Sequence, residues 1–167
     1  MRNVDNASSL VEKFHVLKSD GRSTEEALNG LVSECRVLLR GSVEYMSDNF
    51  VRPTLKDGTC VYATNLASIA ILNAVFSKEG NPTLEYPFYI DERHPMELRI
   101  HNINEKTVCG RGLVYIITDR AGFLRTPMGS WQYVKNSVKV PYDSKIGVRM
   151  EDFVYPVYDV DNGVRLQ

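Results

Sequence analysis

The hydrophobic period of this chain changes near Pro82, and that switch constrains the fold more than any single motif. Upstream, apolar residues recur every three to four positions, as on one face of a helix. Leu10, Val11, Phe14 and Leu17 form a first stripe, with Ser9 as the expected cap, Glu12 as its capping-box partner and Asp20-Gly21 as its end. A second stripe starts at Thr24, runs through Ala27, Leu28, Leu31, Val32, Cys35, Leu38 and Leu39, and breaks at Gly41. Val43, Tyr45, Met46 and Phe50 predict a short third helix closed by Pro53. Leu66, Ile69, Ala70, Leu72, Asn73 and Phe76 predict a fourth, mostly buried helix stopped by Gly80 and Pro82.

Downstream the pattern is that of strands. Glu85 to Ile90 is aromatic and β-rich, and Met96, Leu98 and Ile100 alternate with Glu97, Arg99 and His101. Residues 102 to 112 read as a hairpin connection. Leu113 to Thr118 is a continuous apolar run suited to a central strand, and short strands are expected at 123–124, 131–134, 138–140, 146–148 and 153–160. The expected fold is α+β in one domain, 1–167: N-terminal helices (about 8–80) packed on a C-terminal antiparallel β-sheet or partly open barrel (about 83–167).

Composition bounds the function. The 167 residues are 43% hydrophobic and carry a net charge of -1, which describes a globular chain without the basic excess usual for nucleic-acid binding. A nucleic-acid partner is therefore not expected; a protein or peptide substrate or partner is. No apolar run approaches the roughly 18–20 residues of a membrane span, and the first residues do not resemble a signal peptide, so a soluble cytoplasmic protein is expected. The three cysteines (Cys35, Cys60, Cys109) lack CxxC spacing, and neither a metal nor a cofactor is implied.

Cys60 stands out among them. It follows Asp57-Gly58-Thr59 and precedes the fourth apolar helix, so it is expected at a helix amino end, where backbone N–H groups and the helix dipole favour a thiolate. Nucleophilic cysteine chemistry also needs a base and a group that orients it. His94, before the strand 95–100, is the candidate base and His101, closing that strand, its rival. Asp119, after the apolar strand, is the candidate orienter.

The stretch Val51 to Leu66, with Gly58, Cys60, Ala63 and Leu66, and with Leu72 and Gly80 beyond it, resembles the nucleophile segment of the transglutaminase-like, papain-related superfamily. The preceding helix and the Tyr45 segment are similar to the helices that lead into that cysteine. Tyr115 to Phe123 is similar to the aspartate strand of arylamine N-acetyltransferases, which share the plan. The resemblance spans about Val43 to Phe123. It implies a Cys60–His94–Asp119 site performing acyl transfer, or amide or thioester hydrolysis, through a covalent thioester.

Plainer roles compete with each of these. Free cysteine often serves as a small core hydrophobe. His94 lies in the charged run Asp91-Glu92-Arg93, and Asp119-Arg120 followed by Gly122 is an ordinary turn signal. The alternative function is a non-enzymatic binding or assembly module whose strand-rich half presents aromatic residues, Trp131 and Tyr155 among them, to a partner. A related arrangement places Arg111, Arg120, Arg125 and Lys135 beside the aromatics, the composition of a single-strand binding face, against which the net charge argues.

Overall fold

The computed structural model describes residues 4–54, 58–85, 97–127 and 131–167, with side chains from residue 9 onward. The fold is α+β with open sheets. Three helices, α1 (Val4–Ser19), α2 (Thr24–Cys35) and α3 (Ala67–Val75), accompany twelve short strands among these residues. The large sheet has six strands in the order β10-β6-β1-β3-β8-β7, formed by β1 (Leu38–Ser42), β3 (Val61–Thr64), β6 (Arg111–Ile117), β7 (Leu124–Arg125), β8 (Gln132–Lys135) and β10 (Ser144–Arg149). A four-stranded sheet runs β12-β11-β5-β4, from β4 (Thr83–Glu85), β5 (Leu98–His101), β11 (Val157–Asp159) and β12 (Val164–Arg165). A ribbon of β2 (Phe50–Val51) and β9 (Val140–Pro141) completes the set.

Several elements follow the sequence pattern. In β5, Leu98 and Ile100 are buried and Arg99 is exposed, as strict alternation requires. The apolar run expected as a central strand is β6, bonded on both sides by β1 and β10. Gly21, at φ +84°, ends α1.

Other elements are corrected. Ser9 lies inside α1 rather than capping it. The cap of the second helix is Ser23, which forms the capping box with Glu26. That helix stops at Cys35, where Arg36 adopts the left-handed conformation, and Leu38-Leu39 opens β1. β1 is buried on both faces, Leu39 toward α3 and Leu38 away from it, so its apolar run reads like a continuing helix. No helix forms at 43–50; the segment bends across the sheet and is held there by the Tyr115 hydroxyl, which donates to Glu44 O (2.8 Å) and accepts from Met46 N (2.7 Å). With β1 and β3 in the large sheet, strands enter well before residue 83. The pairing is not wholly antiparallel either, because β11 lies parallel to β5 with Val157 level with Leu98. Much of the strand expected at 85–90 lies outside the described residues.

The large sheet divides the interior. On one face α3 packs with α1, α2 and the small sheet, around Leu28, Leu31, Ile71, Leu72, Leu98 and Ile100. On the other face a second cluster, with Val51, Tyr115, Ile117, Tyr133, Val140 and Tyr142, lies beneath the β2–β9 ribbon. The helix sits unusually close to the sheet: a Cβ on Gly112 would fall 1.8 Å from Ala74 O, so glycine is required there. Among the described residues no helix is long and apolar enough to cross a membrane.

Candidate functional site

The structure places Cys60 and Asp119 far apart. Helix α3 begins seven residues after Cys60, and β3 intervenes, so the thiol precedes a strand and not a helix end. Thr64 is level with Leu39, and Leu39 with Ile116, which puts Thr64 and Ile116 at the same height in the sheet. Cys60 lies four residues before Thr64, and Asp119 three residues beyond Ile116 in the opposite direction. About seven residues of strand rise, roughly 20 Å, separate them along the strand axis. Asp119 instead shapes a turn, accepting from Ala121 N at 3.0 Å. His94 lies outside the described residues.

His101, the rival base, is already committed. It ends β5 in the small sheet, with Nε2 2.8 Å from Glu85 Oε1 and Nδ1 3.3 Å from Asp161 Oδ1. The two carboxylates hold its pKa above the ordinary value, Glu85 contributing most. The half-buried Cys60 thiol touches Tyr62, two residues along the same strand face, and raises the pKa of that phenol. Cys35 is half-buried against the helical core. The Cys109 thiol donates weakly to Lys106 O (3.4 Å), and burial pushes its pKa up. No group of three metal-ligating side chains occurs among the described residues.

What the fold does assemble is a basic face. The strand period sends Arg111, Leu113 and Tyr115 of β6 to the side away from α3, together with Lys145, Gly147 and Arg149 of β10 and Arg40 of β1. Arg111 and Arg149 are direct cross-strand partners. Lys145 stands over the Tyr45 ring (4.0 Å) and Lys139 of the ribbon over Phe50 (4.7 Å). Farther across the sheet, Lys135 covers Phe123 (5.9 Å), while Arg120 and Arg125 both cover Tyr133 (5.2 and 5.8 Å). The two guanidiniums lower the Tyr133 pKa, chiefly through the Arg125 hydrogen bond. The cation–aromatic contacts among the described residues all fall on this side of the sheet.

The charge of this face is largely unneutralised. Among the described residues Arg111, Arg120, Arg125, Lys135, Lys139 and Lys145 form no ion pair; Arg149 approaches Glu151 at 3.9 Å with both side chains mostly exposed. Carboxylates near this face include Glu44, Asp143, which accepts from Thr118, Asp48, which pairs with Arg52, and Glu79 at the groove, which pairs with Lys106. Other carboxylates lie away from it, on α2 (Glu25, Glu26, Glu34) and around the small sheet (Glu85, Asp159, Asp161).

Arg40 has a structural task. Its guanidinium donates to Tyr62 O (2.9 Å), Arg52 O (3.0 Å) and Thr54 Oγ1 (2.8 Å), tying the chain after β2 to β3. Burial lowers its pKa, against a smaller upward pull from the Glu44 carboxylate. Beside it, partial desolvation and the Arg40 charge depress Lys78. At the β6–β10 edge the basic face opens into a groove of about 980 Å³, walled by Val43, Val108 and Leu113, with Tyr45 and the two opposed arginines around it.

Composition groups Arg111, Arg120, Arg125 and Lys135 with the aromatics; Lys145 and Arg149 join them only in the fold. The available signal was the spacing Lys145-x-Gly147-x-Arg149, which repeats at period two the pattern of Arg111-x-Leu113-x-Tyr115. No protein-family model, curated protein or solved structure matches the chain.

Proposed function

We propose that the protein is a binding module for a nucleotide-type ligand, one that carries both phosphates and flat bases, and that the basic face of the large sheet receives it. One observation carries the reading: Arg120, Arg125, Lys135, Lys139 and Lys145 stack on aromatic rings and form no ion pair among the described residues, although the chain as a whole is slightly acidic. Guanidinium groups bind phosphate through paired N–H donors, and aromatic or guanidinium planes accept bases by stacking. Segregation of charge by the fold answers the compositional argument against such a ligand, because local potential rather than net charge attracts an anion.

The test measures binding of ADP, a dinucleotide and a short single-stranded oligonucleotide by titration calorimetry at two salt concentrations. Binding of at least one of them, weakened by salt and by Arg120→Ala with Arg125→Ala or by Arg111→Ala with Arg149→Ala, supports the reading. Absence of binding for all three overturns it.

A thiol-nucleophile role for Cys60 draws on a narrower support, a half-buried sulfur beside the Tyr62 phenol in a loop that precedes β3. The acyl-transfer or hydrolase reading would need a base from the segment around His94.

A further inference from the structure

We infer that the groove at the β6–β10 edge holds a phosphate of that ligand between Arg111 and Arg149, an inference that rests on the nucleotide-binding reading and adds the position of the anion. These two residues face each other directly in the antiparallel pair and on the same face of the sheet. Like charges placed so are mutually unfavourable, and the carboxylate that reaches them among the described residues, Glu151 at 3.9 Å from Arg149, is mostly in solvent and relieves them little. A bound phosphate supplies the missing negative charge and enough oxygens for both forks.

The rest of the groove is shaped for more than an inorganic ion. Gly147 pairs with Leu113, and a Cβ on it would meet nothing within 4 Å, so the glycine leaves open the space beside the arginines. Val43, Val108 and Leu113 give an apolar wall, and Tyr45, 67% exposed, offers a ring at the rim. The acid in the lining, Glu79, is already neutralised by Lys106 at 2.7 Å. A volume of about 980 Å³ is ample for a nucleoside phosphate. The chemistry fits a ligand with a phosphate at one end and a flat apolar ring at the other.

Titration with ADP, adenosine and orthophosphate, alongside the oligonucleotide, tests the assignment. The expected result is that ADP binds, adenosine binds far more weakly, and Arg111→Ala and Arg149→Ala each weaken ADP by roughly ten- to a hundredfold. Arg111→Lys should recover part of the loss, and Gly147→Val should block ADP by filling the groove while leaving the thermal transition in place. ADP binding unchanged in both alanine variants, or equal affinity for adenosine, overturns the inference. If the oligonucleotide binds and ADP does not, or if ADP is lost only with Arg120→Ala and Arg125→Ala, the groove is the wrong place and the basic face still stands as the binding surface. If nothing binds the wild-type protein, both fall.

Discussion

Gly41 lies against Ala70 so closely that a Cβ added to it would fall 1.7 Å from the Ala70 carbonyl oxygen. The neighbouring atom is helix backbone, which cannot swing aside as a side chain can. Gly41→Ala therefore forces α3 away from β1 and opens the packing of Leu39, Ile71 and Leu72. A loss of about 3 kcal/mol or more is expected in chemical denaturation. Gly147→Ala, in open space, should cost far less, and equal losses at the two sites would contradict this account.

His101 makes stability depend on pH from both sides. Its folded pKa is raised above 6.5, so its contribution is complete below that value and fades as pH rises through the raised folded pKa. Asp161 is lowered below 3.8, first by the Asn102 amide and then by His101, so its contribution is present above 3.8 and lost as pH falls through the lowered folded pKa. The clamp is strongest between the two. Urea midpoints at pH 5.5 and 8.5 should differ more for wild type than for His101→Gln, in which the alkaline loss is reduced. An identical pH dependence in the two proteins would show the contact to be inert.

Tyr155 joins the C-terminal segment to the start of α2 by donating to Glu25 Oε1 at 2.6 Å. Burial, followed by this bond, raises the Tyr155 pKa strongly, so the phenol stays protonated and remains the donor. Thr24 makes a parallel link to Asp152 at 2.6 Å. Tyr155→Phe should cost about 1.5–3 kcal/mol, the worth of a hydrogen bond to a charged group. Thr24→Val combined with it should cost less than the sum, because both bonds hold the same two segments together. Strict additivity would mean that the links act independently.

Cys60 precedes a strand and not a helix. Labelling at neutral pH under native conditions is expected to modify it within about tenfold of the rate of Cys109, since no helix end activates it. Cys60→Ala should leave ADP affinity unchanged. A rate for Cys60 some hundredfold higher would instead restore the nucleophile reading and direct attention to His94.

The elements that could be read from sequence are those with one covered face. β5 alternates cleanly, and α2 repeats every three to four residues, because each has a wet side. β1 could not be separated from α2, since Val37, Leu38 and Leu39 are all fully buried and carry no period. β3 runs straight into the apolar stretch of α3, with Asn65 and Leu66 alone between them. The site was less legible than the fold. Arg111 meets Arg149, and His101 meets both Glu85 and Asp161, only through strand register, which the local pattern of either segment does not encode.

The position of β1 between β3 and β6 has a consequence for how the chain reaches this structure. The Leu38–Ile117 pairing joins positions almost half the chain apart, so the centre of the large sheet is closed by a non-local contact. Such closure slows folding, and α3, which packs on β1, β6 and β10, gains its packing only as those strands assemble. Until β10 arrives, β6 presents a bare apolar edge, and that interval is when this protein is most prone to pair with another copy of itself.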